Sequence, residues 1–157
     1  VNRLDKDTSG LCIVAKNPFS AAELQKNVRK IYYAAVKGNI EGEGVINLPI
    51  ASEEGSIIKR KVDENGQKAI TEYKAIKHKN GNTLLEIRLL TGRTHQIRVH
   101  FSHMGFSLMG DELYGGDMRF IKRQALHCKT LEFIHPVTGE KMIIDSDLPD
   151  DISVLFE

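Results

Sequence analysis

The sequence predicts an α+β fold: a mainly antiparallel, mixed β-sheet with flanking helices. Two observations carry this. Strand-like segments outnumber helical ones, and two pairs of them are joined as hairpins, which argues against a doubly wound parallel sheet. Leu11 to Ala15 is an apolar run suited to a buried strand. Asn17-Pro18 supplies a helix cap and a first-turn proline, and Ala21, Ala22, Leu24 and Val28 follow at helical spacing, so a helix is expected over about 18–29. Ile31 to Val36, rich in aromatic and β-branched residues and closed by Gly38, reads as a strand. A second strand, Val45 to Ile50, follows the Gly42-Glu43-Gly44 turn. Residues 51–67 are polar around Lys59-Arg60-Lys61 and read as a surface loop.

Ala69 to His78 and Thr83 to Leu90 flank Asn80-Gly81, the preferred dipeptide of a type I′ hairpin. The return strand alternates Leu84, Glu86 and Arg88 with Leu85, Ile87 and Leu89, then runs into Thr91-Gly92-Arg93-Thr94. From His95 to Met104 the spacing of Ile97, Phe101 and Met104 predicts a helix that Thr94 can cap and Gly105 stops. After a glycine-containing loop over 109–117, Ala125 to Ile134 and Lys141 to Ile144 form a second hairpin around His135 to Glu140.

The composition, 157 residues with 41% hydrophobic, 27% charged, 13 Gly and 4 Pro, excludes disordered, collagen-like and coiled-coil classes and fits one domain over 1–157. No apolar run approaches the ~20 residues of a membrane span. The opening VNRLDKDTSG is charged where a signal peptide is apolar, so a soluble, cytoplasmic chain with no membrane partner is expected. Because the chain opens on Val1 and enters a dense polar cluster at once, it is expected to be a piece of a longer one. Cys12 and Cys128 have no CxxC spacing and read as core thiols, not as a disulfide framework or a zinc site. The net charge is +1, yet six acids against Lys141 leave −5 from Glu140 onward and +6 before it, which permits a polyanion on one face.

Two clusters carry potential chemistry. Asn2 to Gly10 places Asp5 in a loop before an apolar run. There the carboxylate is either a nucleophile or base, or one member of an Asx-type turn with Asp7. Thr91 to His100 places Arg93 at a strand-to-helix junction, where it is either an anion binder or a structural tie. The histidines at 95, 100, 103, 127 and 135 lack zinc-helix spacing, and no metal is expected. Gly105 to Gly110 runs into Asp111-Glu112 instead of the Lys and Ser/Thr of a phosphate loop, and Ser9 lacks a nucleophile elbow.

The two clusters resemble the signature of the RluA-type family of RNA pseudouridine synthases, HRLDxxTSGL followed much later by GRTHQIRVH: here Arg3 to Leu11 and Gly92 to His100. Lys30 to Ala34 is similar to the family's K-x-Y-x-A strand, Gly66 to Thr71 to its GxxAxT segment, and Gly110 to Gly115 to its GDxxYG loop. Ala125-Leu126-His127 and His135 to Glu140 complete the set. Asn2 stands where the family usually has His, and Phe106-Ser107-Leu108 where it has His-Pro-Ile. The resemblance implies a catalytic domain with further strands before this signature, so 1–157 is expected to be N-terminally truncated.

It further implies that a uridine is detached from its ribose, turned and rejoined through carbon 5. Asp5 would be the essential carboxylate, attacking ribose or uracil or abstracting a proton to form a glycal. Arg93 would pair with Asp5 and keep it ionised, and Tyr32 would lie against the uracil face, its phenol taking the carbon 5 proton or simply packing there. Tyr33 would point to the other side of the strand. No metal or organic cofactor is implied. The implied partner is structured RNA, ribosomal or transfer, with Arg3, Lys6, Lys59, Arg60, Lys61 and Arg98 as candidate contacts. The alternative is a catalytically silent RNA-binding remnant of the same fold.

Overall fold

The computed structural model describes residues 1–157. In chain order its elements are β1 (Ser9–Gly10), α1 (Pro18–Asn27), β2 (Arg29–Lys37), β3 (Glu43–Asn47), β4 (Ile50–Ser52), β5 (Arg60–Val62), β6 (Ile70–Lys79), β7 (Asn82–Leu89), α2 (Gln96–His103), β8 (Leu126–Ile134), β9 (Lys141–Asp145) and α3 (Asp150–Ser153). Single 3₁₀ turns lie at Glu112–Tyr114 and Val154–Phe156. Seven strands form one sheet in the order β1-β8-β2-β7-β6-β3, with β9 also on β8, while β4 and β5 pair separately. Every contact in the large sheet is antiparallel except the short parallel pairing of β1 with β8.

Local chemistry explains the clearest boundaries. The Asn17 side chain accepts from the Ser20 amide at 2.8 Å and Pro18 opens α1, a cap worth about 1 kcal/mol. Asn80 and Gly81, at φ 53° and 76°, form the type I′ turn that sets Lys79 opposite Asn82. A register shift between Ile31 and Tyr32 puts a bulge where β2 meets β8, and bulges of this kind re-aim neighbouring side chains.

Strand alternation divides the core. Tyr32, Ala34 and Val36 of β2 share one face with Leu85 and Ile87 of β7 and Leu126 and Cys128 of β8, and α2 covers that face with Ile97 and Phe101. The opposite face, at Ala35 and Leu84, is covered by Met109, Ile121, Ala125 and, from the acidic C-terminal segment, Ile152 and Phe156. That segment therefore packs on the side of the sheet away from Tyr32. Phe106 and Leu108, in the stretch that departs from the family pattern, are core packers: Leu108 is fully buried and bridges to Val36, and Phe106 packs on the larger cluster.

Four sequence expectations are corrected. Leu11 to Ala15 is not a buried strand. Pairing with β8 ends as the Leu11 amide donates to the Cys128 carbonyl, and Val14 is 83% exposed. Cys12 is exposed, and only Cys128 is a core thiol, its pKa pushed up to about 11 chiefly by burial. The expected loop over 51–67 contains the β4–β5 hairpin, held by backbone pairing that polar composition does not reveal. Finally, α2 is capped not by Thr94 but by His95, in the left-handed region at φ 57° with no side-chain cap bond.

At Gly10, φ is 114°, and an added Cβ would stand 2.5 Å from the Cys128 backbone nitrogen. Gly10→Ala is expected to cost at least about 2 kcal/mol, combining a disfavoured backbone with a clash against a central strand. Urea unfolding reads this, and an unchanged midpoint would refute it.

Candidate active site

A cleft of about 260 Å³ opens where the residue 1–8 segment, β2 and the start of α2 converge. Its lining includes Arg3, Asp5, Lys30, Tyr32, Arg93, His95 and Arg98. The Asp5 segment is held from several sides. Thr8 N–H donates to the Asp5 carbonyl at 3.0 Å, making a backbone turn, and no neighbouring amide bonds the Asp5 or Asp7 carboxylate, so the Asx-turn alternative is not what forms. Gln124 donates to the Lys6 carbonyl and the Thr8 hydroxyl. Arg123 donates to the Asp7 carbonyl and the Ser9 hydroxyl while gripping Asp151. Asn2, in place of the family's usual His, is buried and ties the segment to residues 11–13, accepting from the Ile13 amide and donating to the Leu11 carbonyl.

The arginine beside Asp5 is Arg98, not Arg93. Its Nη1 lies 3.6 Å from Asp5 Oδ2, while Nε and Nη2 make a bidentate pair with Asp111 at 2.8 and 2.9 Å. Its guanidinium sits 5.0 Å from the centre of the Tyr114 ring. Burial works against the Arg98 charge, but the Asp111 bonds and then Asp5 outweigh it and raise its pKa. At 6% exposed, Arg98 is part of the cleft wall, with its guanidinium committed to Asp111 and Asp5. The expected pairing of Arg93 with Asp5 is corrected: Arg93 is exposed at the cleft mouth, its Nε donating to the Lys68 carbonyl at 2.9 Å. The tertiary packing explains the exchange, because Arg98 lies within a buried helix facing the Asp111 loop and Arg93 in the turn before that helix.

Tyr32 lies on the cleft wall opposite Cys128 in the β2–β8 register. Burial, then the nearby Cys128 thiol and Asp5 carboxylate, drives its phenol far above the ordinary tyrosine range, so it rests protonated. Tyr33 points to the other face, where Lys129 lies over its ring. Arg3 and Arg93 stand at the mouth, joined by Lys30, which the site reading from sequence had not singled out. Its position two residues before Tyr32, on the same face of β2, was the available signal. Lys6 is exposed and does not line the cleft. Lys59 and Lys61 pair with Glu53 and Asp63, and the Arg60 guanidinium bonds the Ile58 and Lys59 carbonyls, so this basic run decorates its own hairpin outside the cleft.

Gln96, Asp111 and Tyr114 also escaped the sequence reading. Gln96 accepts from the Arg93 amide and the Thr91 hydroxyl and donates to the Ile70 carbonyl and Thr71 hydroxyl, fixing the strand-to-helix junction. Thr71 in turn meets His100 Nδ1 at 2.8 Å, and His100 Nε2 lies 2.8 Å from the Leu48 carbonyl. That carbonyl can only accept, so Nε2 carries a proton, while burial lowers the pKa of the His100 ring. Asp111 and Tyr114 come from the GDxxYG stretch, whose first glycine fits tightly: a Cβ at Gly110 would stand 2.7 Å from the Ile121 carbonyl oxygen.

The RNA pseudouridylate synthase profile matches residues 1–103, about two thirds of the chain. The chain belongs to this family of RNA pseudouridylate synthases. It is 46% identical to the uncharacterized RNA pseudouridine synthase YjbO of Bacillus subtilis, covering 100% of this chain and 58% of that protein. It is 38% identical to ribosomal large subunit pseudouridine synthase D of Xanthomonas campestris, covering 99% and 53% respectively. The chain thus spans little more than half the length of these curated relatives. Among solved structures, human RNA pseudouridylate synthase domain containing 1 superposes with a TM-score of 0.82 at 27% identity, covering 99% of this chain and 71% of that one. The pseudouridylate synthase fold is therefore this α+β sheet with few helices.

His100 and His127 are both buried with pKa values lowered first by burial. An unfolded histidine titrates near 6.5. Below that pH the unfolded chain binds protons that the native chain still refuses, so stability is expected to fall as pH drops through about 6.5 and to level off below the depressed native values. Urea midpoints at pH 7.5 and 5.5 check this, and a midpoint that rises toward pH 5.5 would contradict it.

Proposed function

We propose that this chain carries the catalytic centre of an RNA pseudouridine synthase that isomerises uridine in structured ribosomal or transfer RNA. The supporting observation is the ionisable Asp5 carboxylate set in a cleft beside a buried, permanently charged arginine and across from a buried tyrosine. A uridine reaching this cleft must leave its stack, and Arg3, Lys30 and Arg93 at the mouth are placed to meet the flanking phosphates. Inside, the bond from base nitrogen 1 to ribose breaks and a bond from carbon 5 to the same ribose carbon forms. Nitrogen 1 ends with a proton and carbon 5 loses one, so no net oxidation occurs. Asp5 supplies the anionic oxygen for the step at ribose, and Arg98 holds that carboxylate in place. Tyr32, resting protonated, serves as the ring wall on which the base turns. Two free thiols fit a reducing, cytoplasmic setting.

Tritium release from RNA labelled at uridine carbon 5 tests the reading, with ribosomal and transfer RNA transcripts assayed in parallel. Release from one class supports the reading and identifies the RNA. Salt-sensitive binding with no release from either would favour a silent RNA-binding relative instead.

A further inference from the structure

His95 has no part in the chemistry so far, yet it is one of only three non-glycine residues with positive φ and it lines the cleft. A non-glycine residue held in that region is one the surroundings over-determine. Its backbone is held by the Gln96 amide on the Arg93 carbonyl and the Val99 amide on its own carbonyl, and its ring is held by Tyr114. The Tyr114 hydroxyl accepts the Arg60 backbone N–H at 2.9 Å and lies 2.7 Å from His95 Nδ1. Tyr114 is buried, and its hydroxyl has no third partner. Its one proton therefore has a single acceptor, His95 Nδ1. The opposite tautomer would set a ring N–H against the phenol and strand the phenol proton. His95 is thus locked with its hydrogen on Nε2. Burial, with help from the Arg98 and Arg60 charges and against those of Asp5 and Asp111, lowers its pKa and keeps the ring neutral.

We propose that neutral His95, fixed by Tyr114, presents its Nε2–H in the cleft as a hydrogen-bond donor to a carbonyl oxygen of the uracil ring. This deepens the synthase reading and rests on it. When the ribose bond breaks, the detached uracil carries negative charge shared between nitrogen 1 and its carbonyl oxygens. A preorganised neutral donor stabilises that charge without transferring a proton. Arg98 cannot do the same, because Asp111 holds two of its nitrogens and Asp5 faces the third. The donor also gives the cleft a means of holding the base in plane while it turns, and of telling a carbonyl edge from an amino group.

Two measurements test this. Nitrogen-15 imidazole spectra of histidine-labelled protein should show His95 in the Nε2–H tautomer, and Tyr114→Phe should convert it to a mixture. A wild-type His95 found in the Nδ1–H tautomer overturns the proposal, whether or not the Tyr114 variant folds. In the tritium-release assay, His95→Ala should lower single-turnover rate at least tenfold while RNA affinity by filter binding stays within about threefold. His95→Gln, which keeps a side-chain N–H, should recover part of the loss. Wild-type release with His95→Ala unchanged overturns this proposal alone, whereas no release from any RNA with the wild type overturns the synthase reading and this proposal together.

Discussion

Asp5→Ala is expected to reduce tritium release below detection, a loss of at least about 1,000-fold, while leaving the fold intact. The two halves of that expectation come from different observations. The activity loss follows because no other carboxylate lines the cleft. The intact fold follows because the Asp5 side chain is 27% exposed and its single ion pair is the long one to Arg98, so little packing is lost. Circular dichroism and urea unfolding should place the variant within about 1 kcal/mol of the parent. A variant that still releases tritium would show that Asp5 is not the essential group.

Arg98→Ala should fail in the opposite manner, by destabilising the protein before its chemistry can be assayed. Removing the guanidinium leaves Asp111, 1% exposed, as a buried carboxylate without its bidentate partner, a change that typically costs about 3–5 kcal/mol. Arg98→Lys keeps the charge but not the fork, and it should recover stability better than turnover, since one ammonium cannot serve Asp111 and face Asp5 in the same geometry. Thermal unfolding of the three proteins checks the ranking. A fully stable Arg98→Ala would mean that Asp111 is satisfied by other groups.

The contrast between Arg93 and Arg98 marks where sequence reading ends. Both lie in one short motif, and spacing alone does not tell which one shares space with a carboxylate 88 or 93 positions earlier. That choice depends on α2 being buried over Gln96 to Phe101 and on Asp111 arriving beside it from a later loop. Features set by neighbouring residues were legible: the Asn17-Pro18 helix start, the Asn80-Gly81 hairpin and the alternation that puts Tyr32 and Tyr33 on opposite faces. Leu11 to Ala15 misled because an apolar run becomes a strand only where another backbone is available to pair, and past Leu11 the chain leaves β8. The β4–β5 hairpin was hidden for the converse reason, since backbone pairing holds it with little apolar patterning in its sequence.

The placement of Asp5 and Arg98 on different kinds of scaffold carries a kinetic consequence. Arg98 belongs to a helix whose amides are enclosed by core residues, and such amides exchange with solvent only when the whole domain opens. Asp5 belongs to an irregular segment tethered by Gln124, Arg123 and Asn2, and its amides should exchange through small local excursions. The 3.6 Å gap between the two side chains is therefore adjustable from one side only. On the proposed function, closure on a uridine would move the carboxylate toward a stationary cation, so deuterium uptake over residues 3–8 should slow when RNA binds while uptake over 96–101 stays unchanged.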